Sequence, residues 1–338
     1  MSALLIVGHG TRDNEGADEF RKFVRRVEAR AVERGAADAV AGGFIELSPP
    51  PLKEAVAGLV EAGHRNLTAV PLILLAAGHA KGDIPAALAR ERDRHPGVRT
   101  EYARPLGPHP VILDLLRRRL ATHAREFQAD SVLLVGRGTT DPDANADLYR
   151  AARLLWETTR DLGIRQVEAA FVSLAEPSVP EGLDRLRTLG ARRVLVLPFF
   201  LFPGVLPTRI HTQVDAWLDR AETAVAVADV IGDCDELADL VIERYLEADG
   251  RGGAPAGMNC DACVYRIALP GFEERVGQEQ RPHDHPDDPA HQHGHHHRHH
   301  HAPTHPPRHD TVAARPEVRS VPETRLSRPV GPPQPPVG

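Results

Sequence analysis

Three residues of this chain have the types and settings to hold a divalent metal and move protons: His9, His79 and Glu46. His9 lies in Gly8-His9-Gly10-Thr11, between a short apolar run and a helix-forming segment. His79 lies in Ala77-Gly78-His79-Ala80-Lys81-Gly82-Asp83, again after an apolar run and before a helix. Neutral imidazole can ligate a divalent metal or take part in proton transfer, so two histidines facing one cavity would be a candidate reaction centre. Glu46, in Gly43-Phe44-Ile45-Glu46-Leu47-Ser48, adds a carboxylate suited to proton transfer. The spacing around His9 is neither G-x-G-x-x-G nor a Walker A loop, which weighs against a phosphate cradle and a nucleotide cofactor.

A single histidine in a tight turn is more often structural, but an internal repeat supplies a control. LLIVGHGTRD (4–13) matches VLLVGRGTTD (132–141), and GFIELSPPPLKEAVAGLVEAG (43–63) matches AFVSLAEPSVPEGLDRLRTLG (170–190). VPLILLAAGHAKGDI (70–84) matches LPFFLFPGVLPTRI (197–210), and RPLGPHPVILDLLRRRL (104–120) matches DVIGDCDELADLVIERYL (229–246). The blocks keep their order at a period of about 127 residues, which is a duplicated domain and not a solenoid repeat. In the second copy Arg137 stands for His9, Val205 for His79 and Ser173 for Glu46, while the glycines, the apolar runs and Asp141 persist. The fold therefore does not require the imidazoles, and a functional role is expected in the first half only.

The elements that must position these residues alternate between strand and helix. The apolar runs Leu4–Val7, Ala41–Ile45, Leu67–Leu75 and Thr100–Ala103 read as strands buried on both faces of a parallel sheet. Between them, residues 15–35 place Phe20, Phe23, Val24 and Val27 on one helical face, and a second helix follows Pro49–Pro51 with Leu52, Val56, Leu59 and Val60 inward. Such alternation gives a doubly wound α/β sheet with its ligand site at the carboxyl ends of the strands. If the first and third strands are neighbours, both imidazoles face one cavity. The expected division is 1–125 for a domain carrying the site, 126–249 for its duplicate, and 250–338 for a linker and a histidine- and proline-rich tail without apolar periodicity, expected to be disordered.

Composition narrows the class. The chain has 338 residues, 41% of them hydrophobic, and a net charge of −6 with no basic block in the folded part, which argues against a nucleic-acid partner. Three cysteines are too few for a disulfide scaffold and fit a reducing cytoplasm. The beginning MSALLIVGHG lacks the features of a signal peptide, and no apolar run is long enough for a membrane span.

Together, LLIVGHGTRD, GFIELSPP and VPLILLAAGHAKGDIP resemble the CbiX/SirB family of sirohydrochlorin chelatases, in its long, duplicated form, over roughly residues 3–270. The resemblance implies two flavodoxin-like, chelatase-type domains with parallel sheets flanking a cleft. It implies a metal chelatase of the lyase class, inserting Co²⁺ into sirohydrochlorin for cobalamin biosynthesis without ATP and releasing two protons. It assigns metal binding to His9 and His79, with Glu46 facing the cleft. A carboxylate-rich tetrapyrrole needs cationic partners, and Arg12, Lys81, Arg137 and Arg209 sit in loops expected to border the cleft. Met258-Asn259-Cys260-Asp261-Ala262-Cys263 fits a family motif resembling an iron–sulfur site, and His283–His309 fits a histidine-rich region. Cys260 and Cys263 cannot complete a four-cysteine cluster alone, so a C-x-x-C redox or zinc site stays open beside it. The resemblance leaves a monomer with pseudo-dimeric halves and a homodimer equally open. Rival readings are Fe²⁺ insertion for sirohaem, a histidine-rich metal store or metallochaperone, and a flavodoxin-like nucleotide module, the last disfavoured by the missing glycine-rich fingerprint.

Overall fold

In the computed structural model, residues 2–218 and 223–252 are described, with Glu274 and Val276. Cys260, Cys263 and His283–His309 lie outside the described residues.

The first half runs β1 (Ala3–Gly8), α1 (Asn14–Glu33), β2 (Val40–Phe44), α2 (Leu52–Glu61), β3 (Asn66–Pro71), α3 (Ile84–Arg94), β4 (Arg99–Tyr102) and α4 (Pro110–Phe127). The second runs β5 (Ser131–Gly136), α5 (Pro142–Glu157), β6 (Gln166–Phe171), α6 (Val179–Thr188), β7 (Arg193–Pro198), α7 (Val205–Leu218), β8 (Ala224–Val227) and α8 (Asp235–Ala248). The sheets are parallel, in the orders β2-β1-β3-β4 and β6-β5-β7-β8. All of β1 and all of β5 are buried, as their uninterrupted apolar sequences require with helices on both faces. Helix α1 turns Phe20, Phe23, Val27 and Ala31 inward. No helix among the described residues is long and apolar enough to cross a membrane.

The third expected strand ends early. Pro71 has no N–H to continue the ladder, and after Leu72 N–H donates to the Val7 carbonyl at 2.8 Å the chain leaves the sheet. Leu72–Leu75 then wall a cavity, so their apolar character serves that wall. The second half repeats this at Pro198, where Phe199 N–H donates to the Val135 carbonyl at 2.8 Å.

One core runs through both halves, joining Leu4, Ile6 and Phe23 to Leu134, Leu148 and Tyr245. Helix α8 returns to pack on α1 and β3. Arg26 bonds to Asp233 and Asp235, and Arg30 to Asp235 and Asp239, along that seam.

The repeat is also one of backbone conformation. Gly10 and Gly138 have φ of 107° and 81°, and Leu47 and Leu174 have φ of 64° and 62°. A Cβ on Gly10 would stand 1.8 Å from the Glu46 carbonyl oxygen, and one on Gly138 would stand 1.9 Å from that of Ser173. Both glycines therefore let the turn after the central strand press onto the turn after its neighbour. Gly10→Ala and Gly138→Ala should each cost about 2 kcal/mol in urea denaturation, from positive φ and backbone overlap. A variant as stable as the parent would show that the two turns can separate freely.

Candidate metal centre

The central strand and its two neighbours deliver the three sequence candidates to one point. β1 pairs with β2 on one side, Gly8 opposite Phe44, and with β3 on the other, Val7 opposite Pro71. His9 follows β1 directly. Glu46 lies two residues past β2, where its N–H donates to the His9 carbonyl at 3.2 Å. His79 opens a π-helical turn (His79–Asp83) that precedes α3, an irregularity of the kind often found at functional sites. The condition for a shared cavity, adjacency of the first and third strands, is met.

His9 Nε2 and His79 Nε2 are 2.7 Å apart, with their rings edge to face. His9 Nε2 is 3.2 Å from Glu46 Oε1. One ligand atom from each of His9, Glu46 and His79 falls within 4.8 Å of the others. The Glu46–His9 approach lacks hydrogen-bond geometry, and Glu46 Oε1 is a buried oxygen without a hydrogen-bond partner among the described residues. Leaving such an oxygen unsatisfied costs about 1–3 kcal/mol, a cost that a cation between the three groups removes.

Proton counting sharpens this. His79 Nδ1 is 2.6 Å from Asp83 Oδ2, His9 Nδ1 is 3.0 Å from the Gly10 carbonyl oxygen, and the two Nε2 atoms face each other. Each contact needs a hydrogen on a ring nitrogen, three in all, whereas two neutral imidazoles carry one each. Two neutral rings cannot satisfy all three contacts at once. With both Nδ1 atoms facing oxygen acceptors, both Nε2 lone pairs are directed at one place, where a metal ion would be held.

The pair opens into a cavity of about 1020 Å³, at the upper end of the range for small-molecule sites. The first half lines it with Leu72–Leu75 and Phe44, the second with Phe199–Pro203, Thr139, Asn145 and Arg137. A largely apolar wall with few polar groups suits a flat, mostly apolar ring. Arg137 is the one Lys or Arg among the described lining residues. Burial pushes its guanidinium pKa down and the nearby Glu46 carboxylate pushes it back up. Val205, the counterpart of His79, begins α7 and is 46% exposed.

The other three expected cations are placed differently. Lys81 does not line the cavity: its Nζ lies 2.8 Å from Asp141 Oδ2 and 2.9 Å from Asp143 Oδ2. Burial alone would lower its pKa, but the two carboxylates raise it above the usual lysine value, so the ammonium is fixed and already paired. Arg12 and Arg209 are exposed and do not line the cavity. Lys81 lies on the π-helical turn and Arg209 on α7, not in the loops expected for them, and a position near a strand end does not say which way a long side chain turns. Sequence reasoning also passed over Asp83. Its spacing of four residues from His79 on a helical turn was the available signal.

The CbiX family model matches residues 3–123 and again 131–248. A sirohydrochlorin cobaltochelatase from Priestia megaterium is 36% identical over 274 residues, covering 80% of this chain and 86% of that protein. A sirohydrochlorin ferrochelatase from the same organism is 32% identical, covering 74% and 92%. Among solved structures, the sirohydrochlorin chelatase SirB from Bacillus subtilis subspecies spizizenii in complex with cobalt aligns with a TM-score of 0.61 at 26% identity, over 74% of this chain and 97% of that one. SirB from Bacillus subtilis with Fe³⁺ aligns with a TM-score of 0.64 at 26% identity, over 74% and 98%.

Asp83→Ala removes the acceptor that orients His79 Nδ1 and should weaken Co²⁺ binding at this centre by about tenfold. The measurement is a Co²⁺ titration from which the isotherm of the His9→Ala/His79→Ala variant, which reports histidines elsewhere in the chain, is subtracted. An unchanged isotherm would mean that packing alone orients the His79 ring.

Proposed function

The chain belongs to the CbiX family, and on that footing we propose that it is a sirohydrochlorin chelatase that exchanges a divalent cation for two ring protons without ATP. The observation that carries this reading is the convergence of His9 Nε2, His79 Nε2 and Glu46 Oε1 at the edge of a large, largely apolar cavity.

The chemistry follows from the donor set. An incoming ion meets two nitrogens and one carboxylate oxygen, too few to enclose it. Its remaining coordination positions face the cavity, from which the nitrogens of the tetrapyrrole approach. As those nitrogens take the ion, the imidazoles and Glu46 are released from it and become acceptors for the departing protons. Arg137 meets a substrate carboxylate from the opposite half, because guanidinium binds carboxylate through two parallel N–H bonds.

Cobalt is the preferred metal in this reading. The cobaltochelatase from Priestia megaterium is 36% identical over 80% of this chain, against 32% over 74% for the ferrochelatase. The alternative, iron insertion, uses the same residues, since two imidazoles and a carboxylate cannot sort Fe²⁺ from Co²⁺ by affinity alone.

An anaerobic absorbance assay of sirohydrochlorin with Co²⁺ and with Fe²⁺ in parallel tests the reading. The native protein should convert the metal-free spectrum faster than the protein-free mixture, and His9→Ala and His79→Ala should each fall to the uncatalysed rate. Arg137→Ala should raise KM for the tetrapyrrole about tenfold, the scale of one lost charge-assisted hydrogen-bond pair. No acceleration with either metal would sink the chelatase reading.

A further inference from the structure

The second half carries no imidazole at the positions of His9 and His79, yet two of its carboxylates reach back to the turn that bears His79. Lys81 is two residues beyond His79 on the same π-helical turn, and its Nζ meets Asp141 Oδ2 at 2.8 Å and Asp143 Oδ2 at 2.9 Å. The three side chains are only 8%, 2% and 9% exposed. Asp141 is itself fixed, because it caps α5 by accepting from Asp143 N–H at 3.1 Å. The acceptors are thus held by a helix terminus in one half, and the donor belongs to a short irregular turn in the other. Within the first half the turn is tied by Lys81 N–H donating to the Ala77 carbonyl, Tyr102 O–H donating to the Ala80 carbonyl at 2.8 Å, Ile84 N–H donating to the His79 carbonyl and the His79–Asp83 contact; the ion pair is its tie to the second half.

Burying an ammonium with two carboxylates is a poor route to stability, since desolvation offsets most of the attraction. Its best-attested use is to fix register. The repeat shows that this fold does not demand it. Pro207 stands at the position of Lys81, and Glu15, at the position of Asp143, is exposed. Among the described residues, Pro207 and Glu15 form no counterpart of this pair on the other side of the repeat.

We propose that Lys81, Asp141 and Asp143 are positioning residues: the second half holds the His79 turn against the cleft, so that His79 Nε2 meets His9 Nε2 and Glu46 at metal-binding distance. The duplicate half then does more than wall the cavity. This deepens the chelatase reading, but the geometric claim stands on metal binding alone.

The test uses full-length protein and two variants. Asp143→Asn keeps the shape and leaves Lys81 paired with Asp141. Lys81→Met/Asp143→Asn removes one charge of each sign, so that no added net charge is buried. In both, amide hydrogen exchange over residues 76–84 should quicken by about tenfold, while β1 and β5 exchange as in the native protein. Co²⁺ should slow exchange over residues 76–84 in the native protein and do so less in the variants. In the chelation assay, KM for Co²⁺ should rise about fivefold with KM for the tetrapyrrole unchanged. The proposal is overturned if exchange over 76–84 is unaltered, if β1 and β5 loosen equally, or if both KM values rise together. Should the native protein insert no metal, the exchange measurements with and without Co²⁺ still decide the point.

Discussion

The close approach of two backbone turns is the contact on which everything else rests. Gly10 lies so near the Glu46 carbonyl that a side chain there would overlap it. The Glu46 N–H then reaches the His9 carbonyl, and the side chains of residues 9 and 46 are delivered to the same point at the end of the sheet. Strand β3, on the other side of β1, brings the chain back toward His79. A parallel sheet with its central strand buried leaves these three carboxyl ends no other common destination.

Duplication has kept that backbone contact and changed what it carries. Gly138 presses on Ser173 as Gly10 presses on Glu46, Leu174 repeats the positive φ of Leu47, and Asp141 caps α5 as Asp13 caps α1. At the corresponding side chains, however, imidazole has become guanidinium at Arg137, carboxylate has become hydroxyl at Ser173, and His79 is answered by Val205. A centre that would bind a cation has become a wall that can bind an anion. On the proposed reading, one cavity thereby has a metal-binding edge from one half and a carboxylate-binding edge from the other. An unmodified pair of copies would place two competing metal sites around a single ring.

Much of this was readable from residues. The central strands β1 and β5 are continuous apolar runs, the helices carry one apolar face, and the loss of both histidines from the second copy pointed to the first as the place of the proposed site. Other features were hidden for physical reasons. Leu72–Leu75 look like more strand because a cavity wall and a sheet core ask for the same residues. Lys81 looks like a partner for substrate because its pairing with Asp141 and Asp143 spans about 60 residues of sequence and depends on how the halves pack. Arg12 sits in the expected loop and Arg209 lies on α7, and both are exposed to solvent. Asp83 was visible only as a spacing of four, and its contact with His79 Nδ1 appears once the π-helical turn is formed.

The most direct test of the central claim is anomalous diffraction at the cobalt edge from crystals of the full-length protein grown with Co²⁺. The account predicts a peak bonded to His9 Nε2, His79 Nε2 and Glu46 Oε1, with no peak at Arg137, Ser173 and Val205. A peak in the second half, or none among His9, His79 and Glu46, would contradict it.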